Sequence, residues 1–287
     1  MRRTITSRWA AGALAAGVVT GLVVTLPGVA FAAPSGTRTA GGGRTTAITT
    51  TTGVATAAAL TTTSVVTSTT TGSGSGSGQP SRPTCTAAVF GQAQQRVEAD
   101  LSARVTQLNS LLSAVDAATQ LTAGDRQTLQ DDISTTELPG IEALQPQVQQ
   151  ATTCAQLFKA AHAMVFNFRV FVVMTPQTHM TIVADTETFV EGQIVNLEPA
   201  IAQAIQNAQA HGKDVSGAQA AFTDLKNQVS AAQAATAGQA AQVLAQTPAG
   251  FPGNWPVFLS ARTNLVNAHN DLHAAFTDAK QIRSDLQ

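Results

Sequence analysis

The sequence predicts an all-α fold: an elongated, antiparallel bundle of five or six long helices behind a disordered N-terminal stalk. Three observations carry that prediction. From Cys85 onward, apolar residues recur at steps of three and four, the period of one helix face. Polar caps open these stretches, and Gly or Pro closes them. Before Cys85 the composition is different altogether, dominated by Thr, Gly and Ser.

Residues 1–32 read as a signal peptide. Arg2, Arg3 and Arg8 precede the uncharged stretch Trp9–Val29, and Ala30-Phe31-Ala32 supplies a small-x-small cleavage site. An uncleaved anchor is the alternative, because the uncharged run approaches the ~20 residues that span a bilayer. Gly12, Gly17, Gly21 and Pro27 weaken it. No later segment is expected to be long and apolar enough to cross a membrane. The mature protein is therefore expected to be secreted or cell-surface associated. Residues 33–84 form the stalk, with Gly41-Gly42-Gly43, a Thr-dominated run over Thr45–Thr71 and alternating Gly and Ser over Gly72–Gly78. This composition buries too little apolar surface to offset ordering entropy. Thr-rich segments of this kind are candidates for O-glycosylation.

Residues 85–287 form the helical domain. In the first helix, expected over Thr86–Ala118, Val97, Leu101, Val105, Leu108, Leu112 and Val115 form one stripe. Thr122 caps the second, with Asp125 at its third position. That helix runs toward Gln150, kinked or divided at Pro139-Gly140 and Pro146. Thr152-Thr153 starts a third. From Ala155 to Met174 apolar residues lie on nearly every face, which predicts a central helix. Pro176 bends or breaks the chain, and a fourth helix follows over Gln177–Ala210, interrupted at Pro199 and closed at His211-Gly212. Asp214 caps a fifth, whose Val215, Ala218, Phe222, Leu225, Val229 and Ala232 form a heptad seam. The Pro- and Gly-rich stretch Thr247–Pro256 is a loop, and a last helix spans Val257–Leu286.

The net charge is −1. From Cys85 onward ten Lys and Arg face seventeen Asp and Glu, a balance of −7 that argues against nucleic acid or an anionic membrane as partner of the mature form. Cys85 and Cys154 are the only cysteines. Export to an oxidising space makes a disulfide their default state, with two free thiols as the alternative.

Two stretches resemble recurrent segments of secreted helical proteins of high-GC Gram-positive bacteria. One is Phe166-Asn167-Phe168-Arg169-Val170-Phe171-Val172-Val173-Met174-Thr175-Pro176-Gln177-Thr178-His179, with Ala184-Asp185 after it. The other is Thr247-Pro248-Ala249-Gly250-Phe251-Pro252-Gly253-Asn254, followed by Leu259-Ser260-Ala261-Arg262. Members of that group often carry Tyr where this chain has Phe168, Phe171 and Phe251. The resemblance implies a secreted helical bundle and brings no activity or site with it. The cysteine pair and the Thr-rich stalk are not part of the pattern.

Candidate chemistry is sparse. Arg169, within the most apolar stretch, needs a partner, and Asp185, Asp131 and Asp132 are the candidates by chain position. Phe168, Arg169 and His179 could line a ligand pocket beside the Pro176 kink and the Phe251–Trp255 loop. His269 and His273 stand at metal-ligand spacing, but without a third ligand or the Glu of a zinc-protease motif they are a weak metal candidate. The carboxylate pairs Asp131-Asp132 and Glu187-Glu191 read as solvated surface charge. No nucleophile elbow, phosphate loop or Cys/His pair is present in the sequence, and no cofactor is expected. The expected function is thus a non-enzymatic, exported interaction or spacer module with a protein or cell-wall partner. A small-ligand-binding protein is the alternative, and the Phe222 seam offers a surface for self-association.

Overall fold

The computed structural model of the chain describes residues 85–287, so the signal peptide expected over 1–32 and the stalk expected over 33–84 lie outside the described residues. Of the described residues 86% are helical and none lies in a strand.

The first part is built on α1 (Ala87–Ala117), whose N-cap Thr86 accepts from the Val89 amide. Its buried stripe is Leu101, Leu108, Leu111 and Val115. Against it pack α2 (Ala123–Asp131), α3 (Leu138–Glu142), α4 (Leu144–Gln149) and α5 (Cys154–Ala163). Leu129, Ile133, Ile141, Val148, Leu157 and Met164 close this core. As the capping pattern predicts, the Thr122 hydroxyl accepts from the Asp125 amide. Thr153 forms a full capping box with Gln156 at the start of α5. Pro139 and Pro146 do divide the second helical stretch, and a π-helical segment, Asp132–Glu137, leads into the break. Cys85 and Cys154 are joined as a disulfide, which ties the start of α1 to the first turn of α5.

The second part is a three-helix assembly. α6 (Thr175–Ala210) turns at Gly212, whose φ of 81° needs no Cβ penalty, into α7 (Ser216–Thr236). After the short α8 (Gln239–Leu244) the chain enters α9 (Trp255–Leu286). The start of α7 meets the end of α9, where the Lys213 ammonium donates to the Leu286 carbonyl at 2.8 Å. At its other end Thr236 returns to Glu191, midway along α6. α7 is therefore antiparallel to both of its long neighbours. Small seam residues, Ala218, Ala221, Ala232, Ala268 and Ala275, are buried between them and let the helices approach closely.

Polar side chains fasten helix ends, satisfying carbonyl and amide groups that a helix cannot pair internally. The Arg126 guanidinium donates to the Val115, Asp116 and Ala118 carbonyls at the end of α1. The Gln177 amide donates to the Val243, Leu244 and Gln246 carbonyls at the end of α8. An Asp185 carboxylate oxygen accepts from the Thr122 amide at 2.7 Å.

Three expectations are corrected. The stretch Ala155–Met174 is not a central helix: α5 ends at Ala163, and two π-helical segments, Met164–Phe168 and Val170–Met174, flank Arg169. Pro176 lies in the first turn of α6, where the fourth helix was expected to begin, whereas Pro199 lies inside α6 without interrupting it. α7 ends at Thr236, and at Gly238, where φ is 71°, the chain turns into α8. The stretch Cys154–Ala210, helical on both sides of the left-handed Arg169, is long and apolar enough, by length and composition, to cross a membrane, contrary to expectation. Here, though, the α6 portion carries buried Gln177, Thr178, Thr181, Glu187 and Glu191 into the bundle core.

Gly140 is a close-approach glycine. A Cβ at this position would overlap the Phe168 ring. Gly140→Ala gains ~1 kcal/mol of helix propensity, but overpacking a filled site costs about 1–3 kcal/mol. A net loss of stability is expected, seen as a lower urea midpoint. An unchanged or higher midpoint would show that the ring has room to move.

Candidate functional site

The capping box at Thr153 sets the register of α5, and that register sends Phe158 and His162 to the outside one turn apart. The π-helical turn over Met164–Phe168 keeps Phe166 on the same side. Its ring stacks on His162 with centroids 4.3 Å apart and planes 19° apart, and Phe158 lies 6.1 Å beyond His162. Arg169 then takes φ 45° and ψ 40°. A left-handed conformation costs a non-glycine residue about 1–2 kcal/mol, and π-helical turns such as the two beside it recur at functional sites. This backbone places the guanidinium 5.0 Å from the Phe166 ring centroid and 4.7 Å from that of Phe251. Phe251 arrives from the Pro248–Gly250 turn, steadied by the Asn254 side chain donating to the Thr247 carbonyl, and makes an edge contact with Trp255 at 6.3 Å.

The result is a continuous ladder, Phe158–His162–Phe166–Arg169–Phe251–Trp255. Each cation–π contact contributes roughly 0.5–2 kcal/mol, more when desolvated, and two of them offset the strain at Arg169. On the other side of the chain Arg104 from α1 lies over Phe171 at 5.1 Å and braces the second π-helical segment.

Of the pocket residues the sequence nominated, Arg169 is at the centre of this ladder. Phe168 instead packs its ring onto Gly140, and His179 sits half-buried in the first turns of α6, where burial holds its imidazole below the ordinary value. Arg169 is held by rings rather than by a carboxylate, and Asp185 is engaged at the start of α2. Phe158 and His162 were missed. The signal for them was present in the i, i+4 spacing of rings at positions 158, 162 and 166.

A second cluster lies in the core of the three long helices. Glu187 and Glu191, expected on a solvated face, are buried, with 1% and 3% of their surface exposed. One Glu187 oxygen contacts His269 Nδ1 at 3.1 Å, and the other is buried without a partner. Glu191 accepts from the Thr236 hydroxyl at 3.0 Å. Burial pushes both carboxyls up. His269 partly opposes this at Glu187, while Glu191 rises to about 6 against the Thr236 hydrogen bond. Sequence pattern could not show this, because the acids occupy helix positions that only the packing of α7 and α9 covers.

No protein-family model, curated protein or solved structure matches the chain. The assignment of a site therefore rests on its geometry. His269 is taken by Glu187, while His273 is exposed, so the two histidines do not converge. Among the described residues no three His, Cys, Asp or Glu side chains are grouped so as to hold a metal ion.

Proposed function

We propose that this chain is an exported, non-enzymatic helical module that engages a partner at the cell envelope through the ladder face. The observation that carries this reading is the ladder itself. Phe158 is 71% and Phe166 47% exposed, yet both are fixed in an ordered stack that a strained arginine completes. Apolar side chains held rigidly in water mark an interaction site rather than a core. Supporting it are the N-terminal export pattern and the absence of nucleophile or phosphate-loop motifs in the sequence. Of the buried carboxyls, Glu191 accepts from Thr236 and Glu187 contacts His269.

Retention of the mature chain on washed producing cells tests the reading. The double variant Phe158→Ser/Phe166→Ser is expected to shift from the cell fraction to the medium with its helical content intact. An unchanged distribution would remove the ladder from the account. Turnover of an envelope substrate that a point mutation abolishes would overturn the non-enzymatic reading.

A further inference from the structure

Glu187 and Glu191 stand one turn apart on α6, buried in the core that α7 and α9 complete. Carboxylates are almost never fully buried unless paired. The contacts here are modest: one Glu187 oxygen meets His269 Nδ1, and Glu191 meets the Thr236 hydroxyl. The second Glu187 oxygen is buried without a partner.

The geometry at Thr236 says where a hydrogen is wanted. Its Oγ1 lies 3.0 Å from a Glu191 oxygen and 3.2 Å from the Ala232 carbonyl oxygen. A hydroxyl has one hydrogen to donate and two lone pairs to accept with. When Glu191 is ionised, the carboxylate and the carbonyl compete for that one hydrogen. When Glu191 is protonated, its own O–H donates to Oγ1 and the hydroxyl donates to Ala232, so both contacts are full hydrogen bonds. The protonated form also leaves one negative charge fewer in the core, where an uncompensated charge is costly.

The neighbouring elements bring little charge to this level. α7 has no charged residue between Lys226 and its end at Thr236, and α8 has none. On α9 the group at this level is His269, with Asp271 and His273 in the next turn and Arg262 seven residues earlier. On α6 itself Asp185 is engaged with Thr122, and Glu198 lies seven residues beyond Glu191. The charge acting on Glu191 is that of Glu187, of like sign, and the charge acting on Glu187 is that of His269. The His269 side chain is 40% exposed, so the cluster reaches solvent along that edge.

We propose that Glu191 and Thr236 form a proton-operated latch between α6 and α7, closed while Glu191 holds its proton and loosened when that proton is released to solvent, with Glu187 and His269 setting how readily it leaves. The latch ties the firmness of the three-helix part to the acidity of its surroundings.

Amide hydrogen exchange of the full chain between pH 4.5 and 7.5, corrected for the intrinsic rate, tests this. Burial raises the Glu191 carboxyl from 4.5 to about 6, so the closed latch keeps a proton over that range that the open one has lost. Protection over residues 229–236 should therefore be greatest at the acid end, fall by up to about tenfold per pH unit, and level off above the folded value, about thirtyfold lower in all. Glu191→Gln, whose amide donates to Thr236 as the protonated acid does, should keep the high protection at every pH. Glu137→Gln should leave the fall in place, because that residue lies in the first part of the bundle. Flat protection in the parent, or a fall that survives Glu191→Gln, overturns the proposal. A carbon-13 titration of the side-chain carboxyls needs no substitution, and a Glu191 resonance titrating at the ordinary carboxylate value would overturn it equally.

Discussion

Replacing both cysteines, as Cys85→Ala/Cys154→Ala, is expected to lower the unfolding free energy by about 4 kcal/mol, the chain-entropy value for a loop of this length. The bond joins residues 69 apart in sequence, with Cα atoms 6.4 Å apart, inside the range that a disulfide bridges without moving the backbone. Breaking it frees the start of α1 from α5. The start of α1 is then held by the Gln94 amide donating to the Val148 carbonyl at 2.8 Å and by Phe90, Ala93 and Val97 against the core. The unfolded chain meanwhile regains the freedom of the open loop. Replacing both residues avoids leaving a lone thiol. Urea unfolding of the oxidised parent and the double variant measures the difference. A loss below about 1 kcal/mol would mean that the unfolded state is already compact across this loop. Because the same bond anchors the first turn of α5, the double variant should also loosen Phe158 and His162 before it disturbs α7 and α9.

Glu137 should make the protein less stable as pH rises. Its side chain is buried at the end of the first π-helical segment, and one of its oxygens lacks a partner. Burial, assisted by the nearby Asp132, pushes its carboxyl from 4.5 to about 8. Between those two values the folded state holds a proton that the unfolded state has released. Stability is therefore greatest below the unfolded value and falls with rising pH until the folded value is passed, with a limiting slope of about 1.4 kcal/mol per pH unit. Glu191, raised to about 6, pushes in the same direction over a shorter range, and Glu187 is also raised by burial. Glu137→Gln removes the largest of these contributions. It should match the parent near pH 5 and exceed it by on the order of 3 kcal/mol near pH 8. Chemical denaturation across that range measures both slopes, and a slope that survives the substitution would place the proton on another group.

Much of the helix layout was legible because it depends on groups close together in the chain. Thr86, Thr122 and Thr153 cap helices by accepting from amides three residues on, and Gly212 closes α6 through its positive φ. The heptad seam from Val215 to Ala232 was equally readable, and its residues other than Phe222 are buried. The candidate site was legible only in part. Arg169 and the Phe251–Trp255 loop were singled out, but a carboxylate partner was expected where two rings stand. An apolar run looks the same in sequence whether neighbouring helices cover it or leave it in water, so the exposed side of Leu157–Met174 was taken for core.

The sequence by itself determined that this chain is all-helical after Cys85, where most helices begin and that Cys85 had one cysteine to pair with. These follow from hydrogen bonding within a turn, from side-chain period and from composition. Tertiary structure decided which of the apolar and acidic residues meet water. Glu187 and Glu191 are buried because α7 and α9 close over them, and Phe158 and Phe166 remain outside because no other described helix covers that side of α5. The left-handed backbone of Arg169 depends equally on distant residues: its guanidinium lies against a Phe251 ring that a separate loop delivers. Burial is a property of what the rest of the chain places alongside a residue, and no local pattern carries that information.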